Sequence, residues 1–352
     1  EIGGAFGGKD GGLFAPLAVL LAQKARRPVK LVLTRRDELT AANPAPGVVM
    51  RLRTGARQDG TLTALEGRVL VDVGAFSTYW EPVVGILWLL LSNYNFQAWR
   101  LEGREVLTNR ASVGAYRAPG AATAAFAIES QLDEIGRRLG LDPFTLRRQN
   151  VTLEGDLLPN LQPQVKVGAK ETLDALAAHP AWTDPLPPRL GDDGLLRGRG
   201  MALGSWGAGR GPSSALAILE VDGQIRIVLA TVDLTGSFTS LAQIAAEAMG
   251  ISAARITMSK ASTDHISYAP ISGGSQTIHG TGPAVQAAAL DLRAKVLERA
   301  AARLEVSVAE LAIRDEGLYV VVDPERACSF RELYELATTG AAPGGPLVGQ
   351  GS

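Results

Sequence analysis

VVMRLRTGARQDGTLTALEGRVLVD, residues 48–72, is the stretch that decides the fold. Apolar side chains alternate on both sides of Asp59-Gly60, and an Asp-Gly pair between two alternating runs is a strong short-range sign of a β-hairpin. Asp222-Gly223 gives the same sign between residues 215–221 and 224–232. Outward from the first hairpin, residues 121–139 carry Phe126, Ile128, Leu132, Ile135 and Leu139 at helical spacing, with Gly140 placed to end the helix. Pro143 then opens a short helix to Asn150. Upstream, an apolar helical pattern covers 12–24, Pro28 ends it, and 29–34 reads as a strand. Downstream, helices are expected over 238–249 (ended by Gly250), 282–304 and 329–337, the last with Ser329 as N-cap. Strands are expected over 256–259 and 318–322.

Helices interleaved with hairpins favour an α+β fold with mixed sheets over a doubly wound parallel sheet. The organisation expected is a first domain over 1–150, a linker over 151–195 containing one helix (170–178), and a second domain over 196–352. No tight sequence repeat is evident.

Composition narrows the function. A chain of 352 residues, 46% hydrophobic and 20% charged, has material for sizeable cores. Its net charge of −1 offers no electrostatic footprint for nucleic acid or an anionic membrane. The longest apolar run, 83–91, is too short to span a bilayer. The single cysteine, Cys328, can form no intrachain disulfide and cannot hold an iron–sulfur cluster. The three histidines, 179, 265 and 279, lack metal-ligand spacing. Any redox chemistry therefore needs a borrowed cofactor, and the reducing cytoplasm is the expected compartment. Glu1 in place of Met, and loop-like residues at both ends, read as cut termini.

Four turns carry candidate chemistry. Gly3, Gly4, Phe6, Gly7, Gly8 and Lys9 form a glycine-rich opening that follows the phosphate-loop pattern until Asp10, where that pattern needs Ser or Thr for magnesium. The alternatives are a plain turn before a helix, or a turn whose glycines let the backbone approach a flat cofactor with Phe6 as a wall. Residues 114–120 put Arg117 in a Gly/Pro-bounded loop before the best helix, either as an anion contact or as an ordinary surface cation. Residues 234–239, with Gly236 and Ser237, and residues 272–277, with Gly274, Ser275, Gln276 and Thr277, enter further helices. Each taken alone is a capped helix entry as readily as a site. Four such turns together suit a large phosphorylated cofactor held by main-chain amides.

On these residues the chain resembles the molybdopterin-binding subunit of the xanthine dehydrogenase, aldehyde oxidase and aerobic carbon monoxide dehydrogenase family. The opening is similar to that family's Gly-Gly-Gly-Phe-Gly-Gly-Lys loop, with Ala5 replacing one Gly. The most specific similarity runs through Ala115-Tyr116-Arg117, residues 124–135, Asp142-Pro143 and residues 146–150. Gly273-Gly274-Ser275 and Gly282 to Val285 look like the later pterin-phosphate segment.

The resemblance implies a molybdenum–molybdopterin cofactor, with the cytosine dinucleotide form left open. It implies hydroxylation with oxygen drawn from water. Phe6, Arg117 and Gly274 would lie near molybdenum, with no direct protein ligand. Gly4, Gly7, Gly236, Ser237, Ser275, Gln276 and Thr277 would join them in holding the cofactor. Arg117 would be the catalytic residue present, and Asp10, Ala118 and Pro119 would border the substrate. Iron–sulfur and FAD groups would sit only on partner chains of a hetero-oligomer, the FAD subunit being the more open of the two.

The departures shape the substrate expectation. Ser237 stands where the family carries Gln. Ala118 replaces the Cys of carbon monoxide dehydrogenases, and Pro119 an aromatic residue of purine oxidisers. An aldehyde or an aromatic N-heterocycle therefore fits better than a purine. The family's general-base Glu, in a Gly-x-Gly-Glu segment, is not found, so the fragment alone is expected to be inactive. A cofactor-free homologue and a nucleotide binder built on residues 3–9 are the alternatives.

Overall fold

The structure, a computed structural model, describes residues 5–9, 14–76, 82–186, 189–207, 209, 211–262, 268–338 and 345–352. The chain divides into two compact units, Ala5–Trp206 and Gly207–Ser352. Each builds mixed sheets with helices against them, as an α+β fold requires.

The first unit opens with α1 (Ala15–Ala25) and α2 (Arg35–Ala41), followed by β1 (Gly47–Ala56), β2 (Leu62–Gly74), α3 (Pro82–Leu91), β3 (Ala98–Leu107), α4 (Ala121–Leu139), α5 (Pro143–Asn150), α6 (Ala169–Ala177) and α7 (Pro180–Thr183). β1 and β2 pair antiparallel through the Asp-Gly turn, and β3 joins β2 in parallel. The Asp59 carboxylate accepts the Thr61 N–H (3.0 Å) and Gly60 sits at φ 89°, left-handed as such a turn needs. Alternation along β2 sends Leu65, Val69 and Val71 inward and Glu66 and Arg68 outward. The 83–91 run is α3, whose Ile86 and Leu90 pack beneath Ile128 and Leu132 of α4. Residues 29–34, expected as a strand, form none. The stretch after Asn150 packs with the first unit, where Leu173 joins Phe144 and Val151 in a small cluster.

The most recognisable stretch of sequence turns out to be framework. Glu129 on α4 is buried and accepts the Arg147 Nε–H of α5 at 2.8 Å and the Tyr94 hydroxyl at 2.5 Å. Arg147, fully buried, also reaches Asp133 at 2.8 Å. Burial, then the Glu129 charge, pushes the Tyr94 phenol above its ordinary pKa. Asn150 accepts the Leu62 N–H (2.8 Å) and donates to Gly60 and Leu146, tying the hairpin to α5.

The second unit runs β4 (Ala215–Leu219), β5 (Ile225–Leu229), α8 (Ser237–Met249), β6 (Ile256–Lys260), α9 (Gln276–Leu304), β7 (Leu311–Arg314), β8 (Gly317–Val320), β9 (Asp323–Ser329), α10 (Phe330–Thr338) and β10 (Val348–Gly351). Its main sheet has the order β10-β4-β5-β6, with β5 and β6 parallel. Its first elements repeat those of the first unit: a hairpin, a crossover helix, a strand parallel to the second, then a long helix. Even the turn recurs. Gly60 N–H bonds the Arg57 carbonyl and Gly223 N–H the Glu220 carbonyl, while Asp222 accepts from Gln224 as Asp59 does from Thr61. The sequences share only the Asp-Gly pair and the alternation, which is why no repeat shows at residue level.

This repeated topology fixes where the helices begin. α8 leaves β5 and returns to the parallel β6, so it runs against both. α9 runs against β10, since a Cβ at Gly349 would meet Ala288 and one at Gly351 would meet Ala284. β10 is parallel to β5 through two antiparallel steps. The N-termini of α8 and α9 therefore share the carboxyl edge of the parallel strands. In the first unit α4 likewise begins beside the start of α3, Gly120 lying against Gly85 and Ile86. Ligands of α/β sheets gather at this edge.

Candidate functional site

In the first unit the opening turn and the 114–120 loop are locked together. The Arg117 N–H donates to the Phe6 carbonyl at 2.6 Å. A Cβ at Gly7, which sits at φ 91°, would fall 1.5 Å from the Ala115 carbonyl oxygen, so only glycine permits the approach. The Gly8 N–H closes the opening turn on the Ala5 carbonyl at 2.9 Å. The Arg117 guanidinium lies 5.8 Å from the Phe6 ring centroid, within cation–π range. Among the described residues it has no carboxylate partner. Ala118 and Pro119 follow, both half-buried. Gly4 and Asp10 lie outside the described residues.

Gly7→Ala should uncouple the two loops. The expected result in the complete protein is loss of catalytic turnover with near-normal far-ultraviolet dichroism; unchanged turnover would show that the contact at Ala115 is dispensable.

The base of the loop is fixed by a carboxylate. Asp72 accepts the Thr108 hydroxyl (2.6 Å) and the Gly74 N–H (3.1 Å), and these bonds hold its carboxyl below the ordinary carboxylate pKa. The Val113 N–H then bonds Val73, and the Gly114 N–H bonds Pro44.

In the second unit the 272–277 turn enters α9 through Gly274 (φ 60°) and Ser275 (φ 59°). Ser275 makes no side-chain cap bond. The Gln276 N–H is used by Gly273, while the Gln276 amide donates to the Ile271 carbonyl (3.0 Å) and the Thr277 hydroxyl to Ser272 (3.1 Å). The first-turn N–H groups beyond Gln276 have no carbonyl within the helix to bond. A left-handed residue before such amides is the backbone arrangement of main-chain nests that accept anions. A groove of about 630 Å³ opens along the front of α9, bordered by Ile244 and Glu247 of α8 and by Ile278, His279 and Gln286. That is the size of ordinary small-molecule sites.

The start of α8 differs. Gly236 (φ 83°) is again a left-handed N-cap, but the Asp233 carboxylate accepts the Phe238 N–H at 3.1 Å and lies 3.3 Å from the Ser237 hydroxyl. Ser237 is buried, and its hydroxyl bonds within its own loop, at Val232 and Leu234. Asp233 was not legible as a cap, because the bond spans five residues rather than the usual three.

Backbone strain marks the same turns. Eight non-glycine residues among those described have positive φ, and Phe6, Arg117, Ala118, Thr235 and Ser275 all lie in the four turns singled out by sequence. Two of the other three, Arg26 and Glu305, are helix C-caps. Such residues cost about 1–3 kcal/mol each and persist only where the surrounding structure over-determines them, as happens at many ligand sites. Cys328 takes no part. Burial pushes its thiol up to about 11, so it stays protonated at neutral pH.

Comparison with known proteins gives these turns a context. Residues 1–151 and 187–352 match the two molybdopterin cofactor-binding domain families. A putative xanthine dehydrogenase molybdenum-binding subunit of Escherichia coli is 28% identical across 100% of this chain and 48% of its own length. The carbon monoxide dehydrogenase large chain of Afipia carboxidovorans is 28% identical across 95% of this chain and 45% of its own. The chain thus spans about half the length of these curated relatives. Quinoline 2-oxidoreductase from Pseudomonas putida 86 superposes with a TM-score of 0.82 at 25% identity, over 99% of this chain and 48% of that one. With both family matches together spanning nearly its whole length, the chain belongs to the molybdopterin cofactor-binding domain family.

Proposed function

We propose that this chain forms the cofactor-holding part of a molybdenum hydroxylase large subunit that oxidises an aldehyde or an aromatic N-heterocycle with oxygen from water. The observation that carries the reading is the left-handed start of three long helices, at Gly120, Gly236 and Ser275, where the N-cap residue itself makes no side-chain cap bond. An ordinary N-cap is extended and offers a side-chain oxygen to the first turn. At α9 the first-turn amides beyond Gln276 have no carbonyl within the helix to bond, which fits a phosphorylated ring system, whereas at α8 Asp233 takes the Phe238 N–H.

When bound, that cofactor would supply a metal-activated oxygen nucleophile and an electron acceptor. Gly274, Ser275, Gln276 and Thr277 would hold its pterin and phosphate. Gly4, Gly236 and Ser237 would shape the walls, and Phe6, Gly7 and Arg117 would border the metal. Arg117 would steady negative charge on oxygen ligands. Asp10, Ala118 and Pro119 would meet the substrate, and the apolar pair beside Arg117 favours a substrate without polar anchors there. The general-base Glu would come from polypeptide outside this chain. Electrons would leave through an iron–sulfur subunit and, in some assemblies, a FAD subunit. Among the described residues no helix is long and apolar enough to cross a membrane; the cytoplasm is the proposed compartment.

The test is metal and pterin analysis of the complete protein purified with its partner subunits. About one molybdenum and one pterin per chain is the expected result. No molybdenum, together with tight magnesium-ATP binding by calorimetry, would favour the nucleotide reading instead.

A further inference from the structure

The outward face of the first sheet carries more arginine than its own structure uses. Alternation turns Leu52, Val69 and Leu101 toward the core and leaves the residues between them on the opposite face. Nothing described covers that face: Arg51 and Arg53 of β1, Glu66 and Arg68 of β2, and Arg100 and Arg104 of β3 are all exposed. Register sets them in rows. One runs Arg53, Glu66, Arg100, and the next Arg51, Arg68, Glu102. Glu66 takes Arg53 at 3.4 Å, while Glu102 takes both Arg68 (3.2 Å) and Arg104 (2.6 Å). Among the described residues, Arg51 and Arg100 have no carboxylate partner. Asp72, farther along β2, is already matched by Arg110 at 3.4 Å.

The patch is thus positive on a chain whose net charge is −1. It also works against its own sheet. Arg51 stands directly opposite Arg68, and like charges placed opposite one another weaken a strand pair. An acidic residue at 51 would serve the fold better, so arginine there needs another reason. Its surroundings supply one. In the next row Val49 pairs with Leu70, both exposed, so the arginines border an apolar spot. Arginine around an apolar centre is the composition of protein interfaces.

Resting on the multi-subunit assembly proposed above, we infer that this sheet face is a docking surface for a carboxylate-rich face of a separate partner subunit. Charge chooses that occupant. A cover from the same polypeptide would be permanent, and permanent covers are apolar, because guanidiniums shut away without carboxylates are costly. A second copy of the same face would set arginine against arginine. Glu66 and Glu102, spaced among the arginines, repel the dense phosphates of nucleic acid or an anionic membrane. They leave Arg51 and Arg100 to meet single carboxylates.

The experiment mixes the complete large subunit with its separately made partner subunits and reads the association rate by surface plasmon resonance at several ionic strengths. Two double variants are compared with the natural protein: Arg51→Glu with Arg100→Glu, and Arg51→Lys with Arg100→Lys. The glutamate pair should associate about tenfold more slowly at low salt, with a flatter dependence on salt. Its melting temperature should be unchanged or raised, because a carboxylate at 51 gains Arg68 as a cross-strand partner. The lysine pair keeps the charge and should associate within about threefold of the natural rate. A natural rate in the glutamate pair overturns the inference while leaving the assembly standing. A melting temperature lowered in step with the rate overturns it too, because the arginines would then be structural. Loss of binding to phosphatidylserine vesicles, with association intact, overturns it in favour of a membrane. Failure of the natural subunits to associate overturns the proposed assembly, and this inference with it.

Discussion

Arg117→Ala in the complete enzyme should abolish turnover while leaving unfolding free energy within about 1 kcal/mol of the natural protein, the range of surface substitutions that break no buried contact. The asymmetry follows from how Arg117 is held. Its backbone does the structural work: its N–H bonds Phe6, and its left-handed φ of 38° sets the path of the loop. The side chain is exposed, meets only the Phe6 ring at 5.8 Å, and pairs with no described carboxylate. An unneutralised guanidinium on a strained backbone is set to meet a negative ligand. Alanine keeps the backbone bond and tolerates the same φ about as well as arginine does. Arg117→Lys is the companion variant. A point charge cannot reproduce a planar fork, so it should recover only a small part of the activity. Denaturant unfolding read beside steady-state kinetics decides the matter: loss of stability in step with loss of activity would make Arg117 a packing residue.

The second large effect lies in the framework. Arg147→Met should cost about 3–5 kcal/mol, the usual penalty for stranding one partner of a buried ion pair. Glu129 would keep the Tyr94 hydroxyl but lose its cation, inside a region where Arg147 is fully and Glu129 almost fully enclosed. The loss should appear as a shift of the denaturation midpoint with little change in slope. Replacing the whole set, Tyr94→Phe with Glu129→Leu and Arg147→Met, should recover much of it, because an apolar cluster of similar volume removes the desolvation penalty. A cost under about 1 kcal/mol for Arg147→Met alone would mean that water reaches Glu129 and that the pair is only nominally buried.

These two arginines show what was readable in the sequence and what was not. The hairpins were legible because Asp59-Gly60 and Asp222-Gly223 each combine a side chain that closes a turn with a residue free to be left-handed. The helix over 121–139 was legible from its periodicity and its terminal Gly140. The opening and closing of the site were not equally visible. Gly7 reads as one glycine among several until the Ala115 carbonyl is seen against it. Asp233 carries no local pattern, since it caps across five residues. The region from 146 to 150 read as part of the family signature, yet Arg147 and Asn150 act through buried bonds to Glu129, Leu62 and Gly60. Strands such as β3 and β10 escaped because neither alternates cleanly: β3 is largely exposed, and β10 carries glycines that nest against α9.

One detail of α9 has a mechanical consequence. Pro283 lies inside the helix and offers no N–H to the carbonyl one turn earlier. The 29-residue helix therefore lacks one bond of its ladder, at the His279 carbonyl. Its long rear part is clamped by Ala284, Ala288 and Leu292 against the glycines of the last strand. The bond that Pro283 leaves unmade therefore falls in the front turns, ahead of the part that the last strand holds.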